Sequence, residues 1–341
     1  MGSFPSRRRS RRLLGAACAA AAIAITAAAC GSSGTSGTSG SSGSSGAAAP
    51  TGGTRVVGGT ATYALPPSTT PNYIFPFDSS TYFSVVNAED FQYLLYRPLY
   101  WFGNGASPTL NTSLSLAGKP VYSDNGRNVT ITMKDWKWSN GTPVTAQNVV
   151  FWIHMMQAVA STDWGAYVPG GFPTNVSDVK ATSPTTLTMT MNKAYNQTWF
   201  TSNELSQITP MPEAWDRTAS GASHCTTTVS DCAAVYSYLD SQSKSLSSWA
   251  GSPIWGIVDG PWRLSSFNAD GNSTFVPNKA YSGPVKATLA QFQEVPFTTE
   301  SAEYNVLQAG SAGGKPDRRR LPAHHRRAAH QVGQRDRDQP A

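Results

Sequence analysis

The sequence predicts a mixed α/β fold that contains antiparallel strands, and three observations support this prediction. Several short segments alternate apolar and polar residues, which is typical of half-buried strands. Between them lie segments whose apolar residues follow helical spacing. The chain of 341 residues is 39% hydrophobic and includes 10 Trp, 13 Tyr and 13 Phe, so it can form a large core and wholesale disorder is excluded.

Three segments in the first part of the chain are expected to be regular. Residues 55–61 are expected to form a buried strand, followed by a proline-rich turn. Between Asp90 and Tyr100 the apolar residues follow helical spacing, and Pro98 must end or kink that helix. Residues 129–134 alternate apolar and polar side chains, which predicts a half-buried strand.

A longer helix and a hairpin are predicted next. Thr145 is suited to be the N-cap of a helix. The buried face of that helix is expected to comprise Val149, Val150, Ile153, Met156 and Ala160. Residues 179–181 and 187–191 alternate on either side of a Ser-Pro-Thr turn at 183–185, which predicts a β-hairpin.

The positive charge of the chain is confined to its two ends. The formal net charge is +6, but residues 1–12 hold five Arg, and residues 315–341 hold eight basic and three acidic residues. Residues 13–314 therefore carry 13 basic and 17 acidic residues, a net charge of −4. This charge disfavours a nucleic-acid partner for the body of the protein.

Residues 1–30 are typical of a bacterial lipoprotein signal peptide. An Arg-rich start is followed by an uncharged, Ala-rich stretch that is short and weakly apolar for a membrane span. The sequence TAAACG at 26–31 resembles a lipobox and predicts lipidation of Cys30. The paired Arg11 and Arg12 also resemble a twin-arginine signal, so the export route stays open. Residues 31–53 consist of small residues and are expected to form a flexible tether.

Cys225 and Cys232 are the two cysteines that follow the signal peptide. In an exported chain they are expected to form a disulfide, because that compartment is oxidising. The chain-entropy estimate for so small a loop is about 2.5 kcal/mol. A catalytic thiol is the alternative interpretation.

No motif in the sequence specifies catalysis or a cofactor. The zinc-protease pattern, the phosphate-binding glycine loop and the Cys-x-x-Cys pair are all missing from the sequence. His154 lies in the predicted helix, far from His224, and is expected to be structural. No cofactor and no metal site are therefore predicted.

Tryptophans recur through the body of the chain and provide large contact surfaces for a peptide or sugar. Packing in the core is the alternative, and for most of them it is the favoured one. These residues are Trp101, Trp136, Trp138, Trp164, Trp199, Trp255 and Trp262.

The segment Val129–Phe151 carries a more specific pattern, VTITMKDWKWSNGTPVTAQNVVF. It resembles the signature of the family 5 extracellular solute-binding proteins, the peptide and nickel receptors of ABC importers. In that family a strand ends in a Trp-Ser-Asp-Gly-type turn and leads into a helix that starts Pro-Val-Thr-Ala-Glu-Asp-Val. Here Asn140, Gln147 and Asn148 replace the commoner acidic residues.

Further segments are similar to the family, in the family's order, and the resemblance extends over residues 54–314. These segments are residues 72–77, 93–100, 179–191, 208–212, 252–264, 276–281 and 302–310. Within them, Asp259 stands where the family commonly has Thr.

The resemblance implies the type II periplasmic-binding-protein fold, an α/β fold of two lobes with a hinge. The main lobe is expected at residues 54–100 and 191–314, and the insert lobe at 101–190. The family continues with a further large lobe, so the second half of the fold is expected to be missing. The basic tail at 315–341 is interpreted as an out-of-frame end, with a metal- or nucleic-acid-binding tail as the alternative.

The resemblance also implies a function without enzymatic activity. Such a protein captures an oligopeptide or similar solute outside the membrane and delivers it to an ABC permease. Nickel, haem or sugar ligands stay open. The chain is expected to be lipid-anchored to the outer face of a bacterial cytoplasmic membrane. Ligand contacts are predicted at Ser80, Thr81, Tyr82, Trp164 and Tyr167, with surface residues that bind nothing as the alternative. A non-functional truncated remnant and a surface-anchored hydrolase are the other possibilities.

Overall fold

The computed structural model describes residues 57–103 and 109–309. The predicted signal peptide, Cys30, the tether and the basic tail lie outside the described residues. Within the described ranges, no helix is both long enough and apolar enough to cross a membrane.

Strands and short helices alternate along the described chain. The strands are β1 (Thr60–Leu65), β2 (Val121–Ser123), β3 (Asn128–Thr132), β4 (Val176–Ser183), β5 (Thr186–Met191), β6 (Arg217–Thr218), β7 (Gly221–Ala222), β8 (Trp262–Phe267), β9 (Ser273–Pro277) and β10 (Gln291–Pro296). The α-helices are α1 (Tyr93–Leu95), α2 (Ala146–Asp163), α3 (Gln197–Asn203), α4 (Cys232–Ser243) and α5 (Glu300–Ala309). A π-helical segment, Val86–Gln92, leads directly into α1.

Two four-stranded sheets organise the fold. The first has the order β1-β10-β9-β8, with β1 parallel to β10 and the other pairs antiparallel. The second has the order β2-β3-β5-β4 and is antiparallel throughout. Strands β6 and β7 form a small separate pair. The predicted mixture of helices and antiparallel strands is therefore confirmed, whereas the lobe boundaries stay a prediction.

The second sheet contains both the strand and the hairpin that the alternating pattern predicts. Val129 lies opposite Met189 and Ile131 opposite Leu187, and all four side chains are buried. Their polar neighbours in sequence lie on the other face of the sheet, because successive strand residues point to opposite sides. The strand at 129–134 and the hairpin at 179–191 are thus confirmed.

Helix α2 begins where the sequence predicts. Thr145 is the N-cap, and its backbone N–H donates to the side-chain oxygen of Asn148 at 2.8 Å. All five residues of the predicted face are buried. Phe151 and Trp152 are buried too, because α2 is covered on more than one side, by β4, β5 and α4.

Two predicted elements begin elsewhere than expected. Of the predicted first strand, residues 55 and 56 lie outside the described residues. Within the described residues β1 starts at Thr60, after Gly58 and Gly59, whose φ of 102° and 75° lie outside the regular strand region. Three of its six residues are exposed and only Leu65 is buried, so the prediction of a buried strand is wrong. The helix expected from Asp90 starts at Val86 as the π-helical segment and ends at Leu95, three residues before Pro98.

The tryptophans mostly serve the core. Trp136, Trp138, Trp164 and Trp255 are buried, and Trp199 is 46% exposed. Trp101 and Trp262 are half-buried. Core packing is therefore confirmed for most of the tryptophans singled out in the sequence.

A disulfide joins Cys225 to Cys232 at the start of α4, with an S–S distance of 1.96 Å and a Cα–Cα distance of 4.6 Å. Neither sulfur is a free thiol in this state. The carbonyl oxygen of Cys225 lies 3.1 Å from Nδ1 of His154, which ties α2 to this loop.

Candidate functional site

The structure brings the two segments that hold the predicted ligand contacts side by side. Ser80 donates its backbone N–H to the Asp163 carbonyl at 2.7 Å, and Gly165 donates to the Asp78 carbonyl at 2.9 Å. Ser79 and Trp164 pair as an isolated antiparallel bridge between these bonds. We call residues 78–82 and 163–167 the loop pair.

Buried polar side chains fix the first loop of the pair. The side-chain amide of Asn87 donates to the side-chain oxygen of Asn72 and to the Tyr82 carbonyl, both at 2.7 Å. These two bonds tie together the ends of the segment 72–82. Gln92 donates to the Tyr73 and Phe75 carbonyls at 3.0 and 3.1 Å. These bonds anchor the backbone that leads into Asp78.

The backbone of the same segment is also held from α4. The hydroxyl oxygen of Ser243, a fully buried residue, accepts hydrogen bonds from the backbone N–H groups of Ile74 and Phe75, both at 3.1 Å. Helix α4 thereby helps to set the position of the loop pair.

The predicted contacts differ in how accessible they are. Ser80 and Thr81 are exposed, and their hydroxyls bond to no other described residue. The Tyr82 ring stacks on Tyr73 with centroids 4.7 Å apart. Trp164 is only 5% exposed and packs edge-on against Trp152.

Tyr167 is half-buried and packs against the core. Trp164 is therefore suited to holding the loop pair in place, whereas Ser80, Thr81 and one face of Tyr82 are suited to direct contact. Their role in binding stays a prediction.

A cavity of about 310 Å³ lies beside the loop pair and shares Asp78 with it. Three separate parts of the chain form its walls. The lining residues are Pro76, Asp78, Glu89, Gln92, Tyr93, Tyr96, Pro98, Tyr100, Trp101, Phe102, Ser206, Gln207 and Thr209. We call this space the Asp78 cavity.

Asp78 is a perturbed carboxyl group of this cavity. Burial raises the pKa of its carboxyl group to about 6. No donor among the described residues hydrogen-bonds to this carboxyl. Its backbone φ is 53°, a left-handed conformation that Asp tolerates better than most residues. A strained backbone and an unpaired carboxylate at one position are typical of functional sites.

The tyrosines of the cavity differ in their free hydrogen-bonding groups. The hydroxyls of Tyr96 and Tyr100 donate to the carbonyls of Trp255 and Gly118, at 3.3 and 2.9 Å. The hydroxyl of Tyr93 has no such partner within the described ranges. Burial, together with the charges of Asp78 and Glu89, raises the pKa of Tyr93 to about 12.

One cation lies close to the cavity without lining it. The guanidinium carbon of Arg97 is 4.6 Å from the centroid of the Trp101 ring and 5.7 Å from that of Tyr281. The backbone N–H of Arg97 donates to Asp259 at 2.9 Å. Burial raises the pKa of Asp259 to about 7, an effect that the charge of Arg97 opposes. Arg97 is thus already engaged with Asp259 and two aromatic rings.

Several residues of this site are missed by reasoning from the sequence. Asp78 lies two residues before Ser80, but nothing in the sequence shows that burial raises the pKa of its carboxyl. Tyr93 lies in a segment whose similarity to the family is recognised and Trp101 directly follows it, yet the cavity forms only where residues 206–209 meet them in space. Across the described ranges, no group of three or more His, Cys, Asp or Glu side chains is suited to hold a metal ion.

Comparison with known proteins gives a match to one family. The family model "Bacterial extracellular solute-binding proteins, family 5 Middle" matches residues 111–316, more than half of the chain. No curated protein matches the sequence.

Several solved structures are similar to this chain. The ABC transporter substrate-binding protein CtaP of Listeria monocytogenes has a TM-score of 0.52 at 20% identity, over 74% of this chain and 43% of its own. DppA of Helicobacter pylori, solved with the peptide STSA, has a TM-score of 0.51 at 18% identity, over 75% and 46%. AppA of Bacillus subtilis, solved with a nonapeptide, has a TM-score of 0.51 at 16% identity, over 75% and 43%.

These similarities establish the fold. They confirm the predicted type II periplasmic-binding fold. The chain covers only 43 to 46% of the length of these three structures, so it corresponds to part of that fold. At this level of identity the ligands in those structures say nothing direct about the ligand of this chain.

Proposed function

Because this chain belongs to the bacterial extracellular solute-binding proteins of family 5, we propose that it is the substrate-binding component of an ABC importer. It captures oligopeptides or a similar solute outside the cytoplasmic membrane and delivers them to a membrane permease. The family and the three structures above are binding proteins, and the proposed role involves no bond made or broken.

The loop pair is the observation that carries this proposal. Two segments more than 80 residues apart meet and present Ser80 and Thr81, whose exposed hydroxyls are not used within the described fold. An extended peptide is recognised mainly through its backbone groups, so exposed polar groups beside an aromatic ring suit a ligand of varied sequence. The ring of Tyr82 supplies that aromatic surface, and Trp164 fixes the second loop.

Attachment to the membrane is part of the same proposal. Acylation of Cys30 by a diacylglycerol and an amide-linked chain anchors a protein firmly, whereas one chain alone binds marginally. The tether at residues 31–53 would then hold the folded part away from the bilayer. A disulfide at Cys225 and Cys232 is in keeping with an oxidising compartment.

Native mass spectrometry of the purified chain with a mixture of tri- to pentapeptides tests the proposal. We expect saturable one-to-one complexes and recovery of the peptides unchanged. Thr81→Arg places a long side chain on the loop pair and is expected to weaken binding at least about tenfold. Ser220→Arg, at an exposed turn between β6 and β7, is the matched control and should leave binding unchanged.

Two results would overturn the proposal. A folded chain that forms no saturable complex with any peptide of the mixture would favour the non-functional remnant. Peptides recovered in cleaved form would favour the surface hydrolase.

A further inference from the structure

The Asp78 cavity combines aromatic walls with negative charge. Five of its thirteen lining residues are aromatic, namely Tyr93, Tyr96, Tyr100, Trp101 and Phe102. Tyr93 meets Trp101 edge to face, with ring centroids 5.6 Å apart. Aromatic faces attract cations through the negative potential above the ring, and this attraction strengthens where water is excluded.

Among the described residues that line the cavity, Asp78 and Glu89 are the only ones with an ionisable carboxyl, and none is Lys, Arg or His. The charges of both carboxyls, after burial, contribute to the raised pKa of the Tyr93 hydroxyl. Asp78 is partly buried and Glu89 is exposed, and burial raises the pKa of the Asp78 carboxyl. A bound cation would pair with a carboxylate that no described side chain neutralises. The described lining of the cavity therefore carries negative charge that no positively charged side chain balances, which favours a cationic ligand.

Arg97 does not satisfy this preference. Its guanidinium contacts the rings of Trp101 and Tyr281 and donates to the Tyr281 hydroxyl at 3.3 Å. Its charge acts on Asp259, whose carboxyl accepts from the Arg97 backbone. No ion pair joins Arg97 to Asp78 or Glu89 within the described ranges.

The size of the cavity limits what can enter. A volume of about 310 Å³ is at the lower end of the range for small-molecule sites and corresponds to about ten water molecules. It is large enough for an alkylammonium or guanidinium group with its aliphatic stem, but too small for a whole oligopeptide.

From these observations we propose that the Asp78 cavity binds the cationic group of the captured solute, an alkylammonium or guanidinium group, with Asp78 as its counter-ion and Trp101 and Tyr93 as its aromatic walls. This inference rests on the proposed solute-binding function, because the loop pair and the cavity share Asp78. It predicts a preference for solutes with one positively charged side chain.

The probes are two blocked tripeptides that differ in charge alone, acetyl-Ala-Arg-Ala-amide and its citrulline analogue, with acetyl-Ala-Ala-Ala-amide as reference. Agmatine tests whether a free guanidinium compound binds without a peptide. Isothermal titration calorimetry on the full chain is expected to give at least about tenfold tighter binding of the Arg peptide than of the citrulline peptide.

Asp78→Asn is the informative substitution. Asn tolerates the left-handed backbone at this position and keeps the shape of the side chain, so the fold is expected to persist. We expect the variant to lose the preference for Arg over citrulline while still binding both peptides. Glu89→Gln should reduce the preference less, because Glu89 is exposed. Asp135→Asn removes the same charge at an exposed position outside the cavity and should retain the full preference.

The outcomes separate this inference from the proposed function. If all three peptides bind equally and Asp78→Asn changes nothing, the inference is wrong and the solute-binding function stands. If neither a peptide nor agmatine binds, both are overturned. Saturable binding of agmatine when none of the three peptides binds would support the cavity and refute a peptide ligand.

Discussion

The burial of Glu294 can be tested directly in solution through the pH dependence of stability. It lies in β10, opposite Tyr63 of β1 and Ser273 of β9, and is 1% exposed. Neither oxygen of its carboxyl has a hydrogen-bond partner within the described ranges. Burial, and secondarily the charge of Asp90, raises the pKa of Glu294 to about 8.

The sign and size of the effect follow from this shift. The pKa rises from 4.5 to about 8, so between these values the folded state binds more protons than the unfolded state, and the free energy of unfolding falls as pH rises. At 1.36 kcal/mol per pH unit, the loss from Glu294 amounts to about 5 kcal/mol across that window. The stability is fully present below pH 4.5 and is lost by pH 8.

Glu294→Gln removes the ionisable group and keeps the shape of the side chain. Urea unfolding followed by circular dichroism is expected to give nearly equal stability for the variant and the wild type at pH 5. At pH 8.5 the variant should be more stable by about 5 kcal/mol. Glu213→Gln, at an exposed position, should keep the pH dependence of the wild type. Parallel stability curves for Glu294→Gln and the wild type would refute the burial of this carboxyl.

Three further predictions concern the site and the fold. Since the pKa of Asp78 is about 6, its carboxyl becomes protonated between pH 7.5 and 5, and the preference for the Arg peptide should fall about tenfold over this range in calorimetry. Glu89 and Tyr93 are the other titratable groups that face this site. An unchanged preference would contradict the prediction. Replacing Cys225 and Cys232 by Ser should lower the free energy of unfolding by about 2.5 kcal/mol in urea titrations, while no change would show that the bond adds no stability. A Cβ at Gly260 would lie 2.5 Å from the Leu94 carbonyl oxygen, so Gly260→Ala should cost about 1–3 kcal/mol or more in thermal unfolding. Gly251→Ala, where no described atom lies within 4 Å of the added carbon, is the matched control, and equal stability of the two variants would contradict the close approach.

The sequence predicts best those elements whose apolar residues recur at a regular spacing because one face of the element is buried. Strand β3 and the β4–β5 hairpin alternate because one face of their sheet is buried. Helix α2 has both an N-cap and an apolar face. The first strand starts late because positive φ at Gly58 and Gly59 interrupts an otherwise strand-like run, which residue types alone do not reveal.

The candidate site could be predicted only in part. The sequence predicts contacts at Ser80 and Trp164 without showing that they meet, and the structure pairs their segments through the bonds of Asp78 and Gly165. The Asp78 cavity depends on contacts between residues more than 100 positions apart, such as Tyr93 and Gln207, so no local pattern encodes it. Burial of Glu294 is likewise invisible in the sequence, because a polar residue in a strand is expected to face solvent.

Photo-cross-linking of a bound peptide tests the central claim, that this chain captures a solute at the loop pair and the adjoining cavity. A tripeptide carrying Arg and a photoreactive phenylalanine is bound to the full chain, irradiated, and mapped by mass spectrometry. We expect saturable labelling within residues 78–82, 89–102 and 163–167, and we expect unlabelled Arg peptide to compete with it. Labelling that does not saturate, or that maps to other parts of the chain, would contradict it.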